Sequence, residues 1–332
     1  MFDRIISGVK KHVGVLYMYQ VIVNPSARSG FGRRNWNRIK KVLDSREIPY
    51  AVHFTQKSGD AAKYAKLLYE EFSERDELLN LIVLGGDGTL NEVVQGLPAF
   101  DNLALSCIPV GSSNDLARAI GISFVPEEAV DHLLTKPTTL YMDCGTVAFT
   151  DNSSKEQVSR RFLVSTGFGY DASICHEANA SSLKKALNKF GMGKLVYLAI
   201  CLKQLISTKS CAGKLYLNNS DEAITLSSLL LIAGMNNKYE GGGFKFAPDA
   251  SNHDGLIDLC TVSGLSKTKI LRILPTCMKG EHTKFNGITI HRASHYKVVT
   301  DVPLHIHTDG ESIYTSSEID VSCEKEIIRL VF

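Results

Sequence analysis

The chain has 332 residues, 44% of them apolar, and 37 basic against 35 acidic side chains leave a net charge of +2; that suits two domains or one large one and excludes bulk nucleic-acid binding. The longest apolar run, near Leu195 to Leu202, is far short of the ~20 residues of a membrane span, so no transmembrane segment is expected. Scattered charges in Met1 to Lys11 argue against a signal peptide, and eight dispersed cysteines without a Cys-x-x-Cys pair exclude zinc and dithiol motifs, so a reduced cytoplasmic setting with cysteines as packing residues is expected.

Tyr19 to Val23 reads as an apolar strand, followed by a Gly/Ser/Arg loop and a helix from about Asn35. Pro49 to Thr55 is the next strand, and Gly59 to Phe72 carries Ala62, Ala65, Leu68, Tyr69 and Phe72 at helical spacing. Leu81 to Leu84 reads as a buried strand that runs into Gly85-Gly86-Asp87-Gly88, with Thr89 opening a helix. Leu103 to Ile108 then leads to a second glycine turn and helix. This alternation predicts a parallel sheet covered on both faces. From Thr138 onward strands dominate: Thr138 to Phe149, Phe162 to Ser165, Ile224 to Ala233, Leu256 to Val262, Thr289 to His291, Tyr296 to Val299 and Leu304 to Thr308. A helical stretch from Ser182 to Ile206, with Leu183, Leu187, Phe190, Leu195 and Leu198, interrupts them and breaks at Gly191-Met192-Gly193. The strand spacing predicts an antiparallel sandwich. Asp151 to Gln157 reads as an exposed loop tip, and Glu326 to Phe332 as a strand that could return to either half. The expected division is an α/β domain over 1–138, with 320–332 available to complete it, and a β-sandwich domain over 139–319.

Four loops carry the chemistry. In the turn at Gly85 to Thr89, glycines allow positive φ and close backbone approach, while a helix start offers free N–H groups to phosphate. Asp87 suits no anion; beside a phosphate it serves better holding magnesium or taking a proton. The other loops are Asn24 to Gly30, Pro109 to Arg118, and Ala247-Pro248-Asp249 with Asp254 to Asp258. The first three follow the strands' C-terminal ends and so converge on one edge of a parallel sheet. No Gly-x-x-x-x-Gly-Lys-Ser/Thr and no protein-kinase signature set is present.

Together these loops resemble the diacylglycerol kinase catalytic family, and its soluble bacterial lipid kinases in particular, from Asn24 to Asp309-Gly310-Glu311. The Gly-Gly-Asp-Gly-Thr turn is shared with NAD kinases and phosphofructokinases; Leu90-Asn91-Glu92 and Gly111 to Arg118 select the lipid kinases. The resemblance implies an N-terminal parallel-sheet α/β domain of NAD kinase/phosphofructokinase type and a C-terminal antiparallel β-sandwich that takes the lipid, with ATP in the cleft between them. It implies nucleotide contacts from Asn24, Thr55, Gly86, Asp87, Gly88, Thr89, Asn91, Glu92 and Ser112. Asp87 and Asp115 would organise Mg2+ and its waters, and Glu311 would be the general base, with Asp87 as its rival. A structural Mg2+ would be held by the backbone of Ser251, the side chain of Asp254 and the backbone of Leu256. Two departures stand out: Ser112 where the family usually has threonine, and Arg28 near where many relatives have glycine, with Gly30 following.

The implied reaction is ATP- and Mg2+-dependent transfer of the γ-phosphoryl group to the hydroxyl of diacylglycerol, giving phosphatidic acid, a step of phospholipid biosynthesis. The enzyme would be cytoplasmic and would meet its lipid at a membrane surface; a homodimer stays open. The rivals are a kinase for another lipid alcohol (sphingoid base, ceramide, phosphatidylglycerol), an NAD kinase, and a non-catalytic nucleotide- or lipid-binding regulator. Retained Asp87, Asp115 and Glu311 argue against the regulator.

Three further groups carry weaker signals. His305, His307, Asp309 and Glu311 alternate and would share one strand face, which suggests a transition metal. A turn at Gly310 and the lack of a second ligand cluster favour structural or surface histidines. Arg28, Arg33, Arg34 and Arg38 read as a solvated helix face, with phosphate or membrane contact as the alternative. Lys184, Lys185, Lys189 and Lys194 read as part of an amphipathic helix packed on the sandwich, with membrane docking as the alternative.

Overall fold

The computed structural model describes residues 18–180 and 193–332. Strand β1 (Tyr19–Val23), helix α1 (Ala27–Ser45), β2 (Tyr50–Phe54), α2 (Asp60–Glu74), β3 (Leu79–Gly85), α3 (Asp87–Gly96), β4 (Leu103–Pro109), α4 (Asp115–Ile120) and α5 (Pro126–Thr135) follow one another. The strands pair in parallel in the order β2-β1-β3-β4. β3 and β4 are continuous apolar runs buried almost throughout, as strands covered on both faces require. α1 packs with α5 and α2 with α3. The resulting core joins Val21 to Val23, Trp36, Leu68, Leu81 to Leu84, Val93 and Leu105.

The second half comprises β5 (Thr139–Thr150), β6 (Gln157–Phe162), β7 (Ser165–Gly169), α6 (Tyr170–Ala180), α7 (Gly193–Ser207), β8 (Cys211–Leu217), β9 (Ile224–Met235), β10 (Ile257–Ser263), α8 (Lys267–Ile273), β11 (Ile288–Ala293), β12 (His295–Thr308) and β13 (Glu311–Val331). Its strands pair antiparallel. One apolar cluster gathers Val147, Phe162, Phe168, Leu215, Tyr296 and Val321. Another joins Tyr170 and Ile174 of α6 to Leu231, Cys260, Ile270 and Ile288. β13 ties the halves together: it pairs with β12, then with β5, and its end sets Leu330 beside Leu105 of β4 in parallel. Ile328 and Leu330 accordingly lie in the first core.

The elements differ from the sequence expectation in definite ways. α1 begins at Ala27 rather than near Asn35, because Arg28, at φ 47°, and Gly30, at φ 96°, still belong to its irregular first turns. α3 begins at Asp87, not Thr89. α5, α6, β6, β8 and α8 have no counterpart in the sequence expectation, and the strand expected at Phe162 to Ser165 falls on the junction of β6 and β7, with Leu163 and Val164 in neither. The two strands expected around 296–299 and 304–308 are one strand, β12, with a register shift between Val299 and Leu304. The expected strand at Glu326 is only the end of β13. In the loop at Asp151 to Gln157 the tip is exposed, but the carboxylate of Asp151 is buried and accepts the N–H groups of Ser154 and Thr315. Met1 to Lys11, with Leu183, Leu187, Phe190, Lys184, Lys185 and Lys189, lie outside the described residues. Among the described residues no helix is long and apolar enough to cross a membrane. Cys107, Cys144, Cys211, Cys260 and Cys277 are buried, in keeping with a packing role.

Candidate active site

The loops after β3 and β4 meet backbone to backbone. A Cβ on Gly86 would lie 2.8 Å from Gly111 Cα, and one on Gly111 only 2.4 Å from Gly86 Cα, so neither position accepts a side chain without moving the other loop. Asn114, at φ 51°, closes the second loop: its side-chain oxygen accepts Gly111 N–H at 2.9 Å and its amide donates to Gly111 O at 3.1 Å. Asp87 then accepts the N–H groups of Asp115 and Leu116 at 3.1 and 3.3 Å, a carboxylate cap on the start of α4. Burial raises the pKa of Asp87, and these amides oppose the rise.

Asp115 is 4% exposed. Its Oδ2 accepts the N–H of Gly242 at 2.8 Å, while its Oδ1 has no hydrogen-bond partner and lies 3.8 Å from Arg118 Nε. Burial pushes its carboxyl up to about 7; the Gly242 bond and Arg118 oppose this, and the charges of Asp87 and Glu240 add to it. A buried carboxylate oxygen without a partner, beside a second carboxylate at a helix start, fits a hard divalent cation. Asp115 and Asp87 therefore suit the expected Mg2+.

Glu311 arrives from the other half. Thr308 pairs with Glu311 across the two-residue turn Asp309-Gly310, with φ 48° and 86°, the geometry an Asp-Gly hairpin favours. A Cβ on Gly88 would lie 3.3 Å from Glu311 Oε1, so Glu311 stands against the first turn of α3. Asp309 fixes this turn: its buried carboxylate accepts the N–H groups of Leu163, Val164 and Ser165 at 3.0, 2.8 and 3.0 Å and the amide of Asn91 at 2.8 Å. Burial raises its pKa against those four donors.

Several expected nucleotide contacts do structural work. Asn91 is buried and spends its amide on Asp309 and on Arg161 O, at 2.8 and 3.1 Å, so it links the halves and does not face an open pocket. Glu92 accepts the Ser58 hydroxyl and Gly59 N–H at 2.9 and 3.0 Å, tying the start of α2 to α3. Thr89 accepts the Asn24 amide at 2.9 Å, which joins the first loop to the central turn. Thr55 is buried, its N–H bonded to Val23 O at 2.9 Å. Ser112 is exposed on the loop held by Asn114. The glycine that packs on the first loop is Gly32 of α1, where a Cβ would sit 1.9 Å from Asn24 O. Arg38 pairs with Glu127, and Arg33 and Arg28 lie over Phe54 and Phe31, so the basic group is largely helix surface.

The expected structural Mg2+ does not fit its residues. One oxygen of Asp254 accepts Leu256 N–H at 3.0 Å, and the other contacts the guanidinium of Arg292. The loop therefore already holds a cation.

Sequence reasoning missed an acidic, apolar-walled cavity inside the second half. A cavity of about 90 Å3, partly open to solvent, is lined by apolar residues such as Ile174, Phe244, Phe246 and Ile288, with Asp171 and Glu240 among them. His307 Nε2 lies 3.2 Å from Asp171 Oδ2 and 3.0 Å from Glu240 Oε1. Gly310 N–H donates to its Nδ1 at 3.3 Å, which leaves Nε2 as the proton-bearing nitrogen, and that proton fills the space between the carboxylates. The alternating set of His305, His307, Asp309 and Glu311 does not come together at one point: Asp309 serves backbone amides, Glu311 stands at Gly88, and His305 stacks on His176 at 4.4 Å. The available signal was Gly241-Gly242-Gly243, at φ 63°, 89° and 115°, where backbone passes close to Asp115.

Residues 18–147 match the diacylglycerol kinase catalytic domain, and residues 164–331 match the YegS C-terminal NAD kinase beta sandwich-like domain. "Putative lipid kinase YtlR" of Bacillus subtilis (strain 168) is 29% identical over 297 residues, 89% of this chain and 93% of that protein. The diacylglycerol kinase of the same organism is 28% identical, over 88% of this chain and 89% of its own length. The solved structure of "A putative diacylglycerol kinase from Bacillus anthracis str. Sterne" superposes with a TM-score of 0.71 at 23% identity, covering 94% of this chain and 96% of that one, a likeness of fold. The chain thus belongs to the diacylglycerol kinase-like lipid kinases that join a diacylglycerol kinase catalytic domain to a YegS-type, NAD kinase-like β-sandwich domain.

Proposed function

We propose that this lipid kinase transfers the γ-phosphoryl group of ATP to the free hydroxyl of diacylglycerol, giving phosphatidic acid. The observation that carries the lipid acceptor is the cavity. Glu240 lines its acidic end, and two residues on, Gly242 N–H donates to Asp115. An acyl chain in the apolar part would leave its glycerol hydroxyl facing the carboxylates beside the nucleotide loops. NAD, polar along its whole length, would gain nothing from such walls.

The loops after β1, β3 and β4 would take the ATP phosphates, with the N-terminus of α3 as the anion-binding end. Asp115 Oδ1, with Asp87 behind it, would hold Mg2+; the ion, when bound, supplies charge neutralisation on the phosphates. Glu311 would accept the proton as the acceptor oxygen bonds to the γ-phosphorus and the bond to the β,γ-bridging oxygen breaks, leaving ADP. Asp309 and His307 act as positioning residues for Glu311, through the turn that they hold. In this reading residues 1–138 with the end of β13 form the nucleotide domain and 139–319 the lipid domain. The enzyme works on the cytoplasmic face of a membrane as a peripheral protein.

Incubating the full chain with labelled ATP, MgCl2 and separate diacylglycerol, sphingosine, ceramide, phosphatidylglycerol and NAD arms tests this. Label is expected in phosphatidic acid; label in NADP alone would overturn the reading.

A further inference from the structure

The Ser251 to Leu256 loop, where the family resemblance implies a structural Mg2+, is assembled around a side chain. β10 and β11 pair antiparallel with Asp258 directly opposite Arg292. That register carries the guanidinium across the strand end: Arg292 Nε lies 3.1 Å from Asp258 Oδ1, and its Nη2 contacts Asp254 Oδ2. One planar fork thus bridges two carboxylates, which a lysine ammonium, as a point charge, would not reproduce. Asp258 is 1% exposed and its Oδ2 has no hydrogen-bond partner, so Arg292 is its chief compensation. The rest of the loop is fastened without any ion. Asp143 accepts Gly255 N–H and Glu326 N–H, both at 2.7 Å, and donates its own N–H to Asn252 O at 2.7 Å. The Asn252 amide donates to Asn237 at 2.9 Å. The stem of Lys325 lies 3.2 Å from where a Gly255 Cβ would be, which puts a further cationic residue over the loop.

A divalent ion needs oxygen ligands with lone pairs turned toward it and cannot share that position with a guanidinium at contact distance. We propose that Arg292 is the resident cation of this loop, that the lipid-binding half keeps its β9–β10 connection without a divalent metal, and that removing the guanidinium turns Asp254 and Asp258 into an oxygen-rich site that takes Mg2+ or Ca2+. The charge balance drives the last step. Without Arg292, Asp258 stays buried as an uncompensated carboxylate, the costly half of a broken ion pair, and an added cation relieves it.

The test is thermal melting of the full chain without nucleotide, in EDTA, in MgCl2 and in CaCl2, followed by tryptophan fluorescence. The unmodified chain is expected to melt at the same temperature in all three. Arg292→Ala is expected to melt about 5 °C lower in EDTA and to recover most of the loss in MgCl2 or CaCl2; adding Asp254→Asn should abolish the recovery. An Asp115→Asn background separates any ion held on the nucleotide side, and the response to Arg292→Ala should persist in it. Arg292→Ala lowered equally in all three solutions would overturn the proposal. So would an unmodified chain that loses melting temperature in EDTA within the Asp115→Asn background, or one that retains a stoichiometric divalent ion by elemental analysis and releases it on Asp254→Asn. The measurements on chains that keep Arg292 decide the question even where Arg292→Ala does not fold.

Discussion

In the proposed reaction Asp115 and Glu311 play separate parts, one toward the metal ion and one toward the acceptor hydroxyl. Asp115 has a folded pKa of about 7 against an ordinary 3.8, so the ion-free fold binds an extra proton between those values. Its stability contribution is therefore greatest at low pH and declines as pH rises toward 7. A bound divalent ion reverses that preference, because binding must expel the proton. Apparent Mg2+ affinity, read from activity against MgCl2 at several pH values, should weaken as pH falls through about 7, and Asp115→Asn should flatten that dependence while lowering activity. Glu311→Gln should lower kcat at least ~100-fold with little change in the KM for ATP; full turnover in that variant would return the base to Asp87. Asp87 could be picked out from the sequence because a carboxylate inside a phosphate-type glycine turn suits no anion, and Asp115 through the family resemblance of its loop. What stayed hidden was that Asp87 caps α4 while Asp115 keeps an oxygen without a partner, since that depends on how two distant loops touch.

At the scale of elements, the parallel pairing of β1 to β4 could be read from the sequence because buried strands advertise themselves as unbroken apolar runs. β13 could not. Its burial alternates irregularly along 21 residues as it passes from β12 to β5 to β4, so neither face stays apolar for long. Asn91 and Glu92 were expected as ligand contacts from the family resemblance alone, and a motif match does not show whether a polar side chain faces a nucleotide or clamps a neighbouring element. The loop contact between Gly86 and Gly111 gives a direct check. Gly111→Ala must move backbone that sits 2.4 Å from the new carbon, and should cut activity strongly and lower the melting temperature, whereas Gly30→Ala, with nothing nearby, should show only the strain of its positive φ. At the far end of β13, Leu330→Ala removes a fully buried side chain and should cost about 2–5 kcal/mol in denaturant unfolding.

The whole molecule joins the loop edge that carries Asp87 and Asp115 to an apolar cavity through the short glycine run Gly241-Gly242-Gly243. The cavity lies within the second half, under α6 and beside β9 and β10, and no sequence reading pointed to it because α6 itself was not expected. Narrowing it with Ile174→Trp should raise the KM for lipid and leave the KM for ATP unchanged, measured by varying each substrate in turn; an equal change in both would place the acceptor elsewhere. β13 has a further consequence, for the order in which the protein is made. The first half needs Ile328 and Leu330 in its core, yet these residues leave the ribosome after nearly all of the second half. The first sheet must wait beside β4 with an open edge, so a nascent chain exposes that edge for most of its synthesis and closes its longest-range contact last.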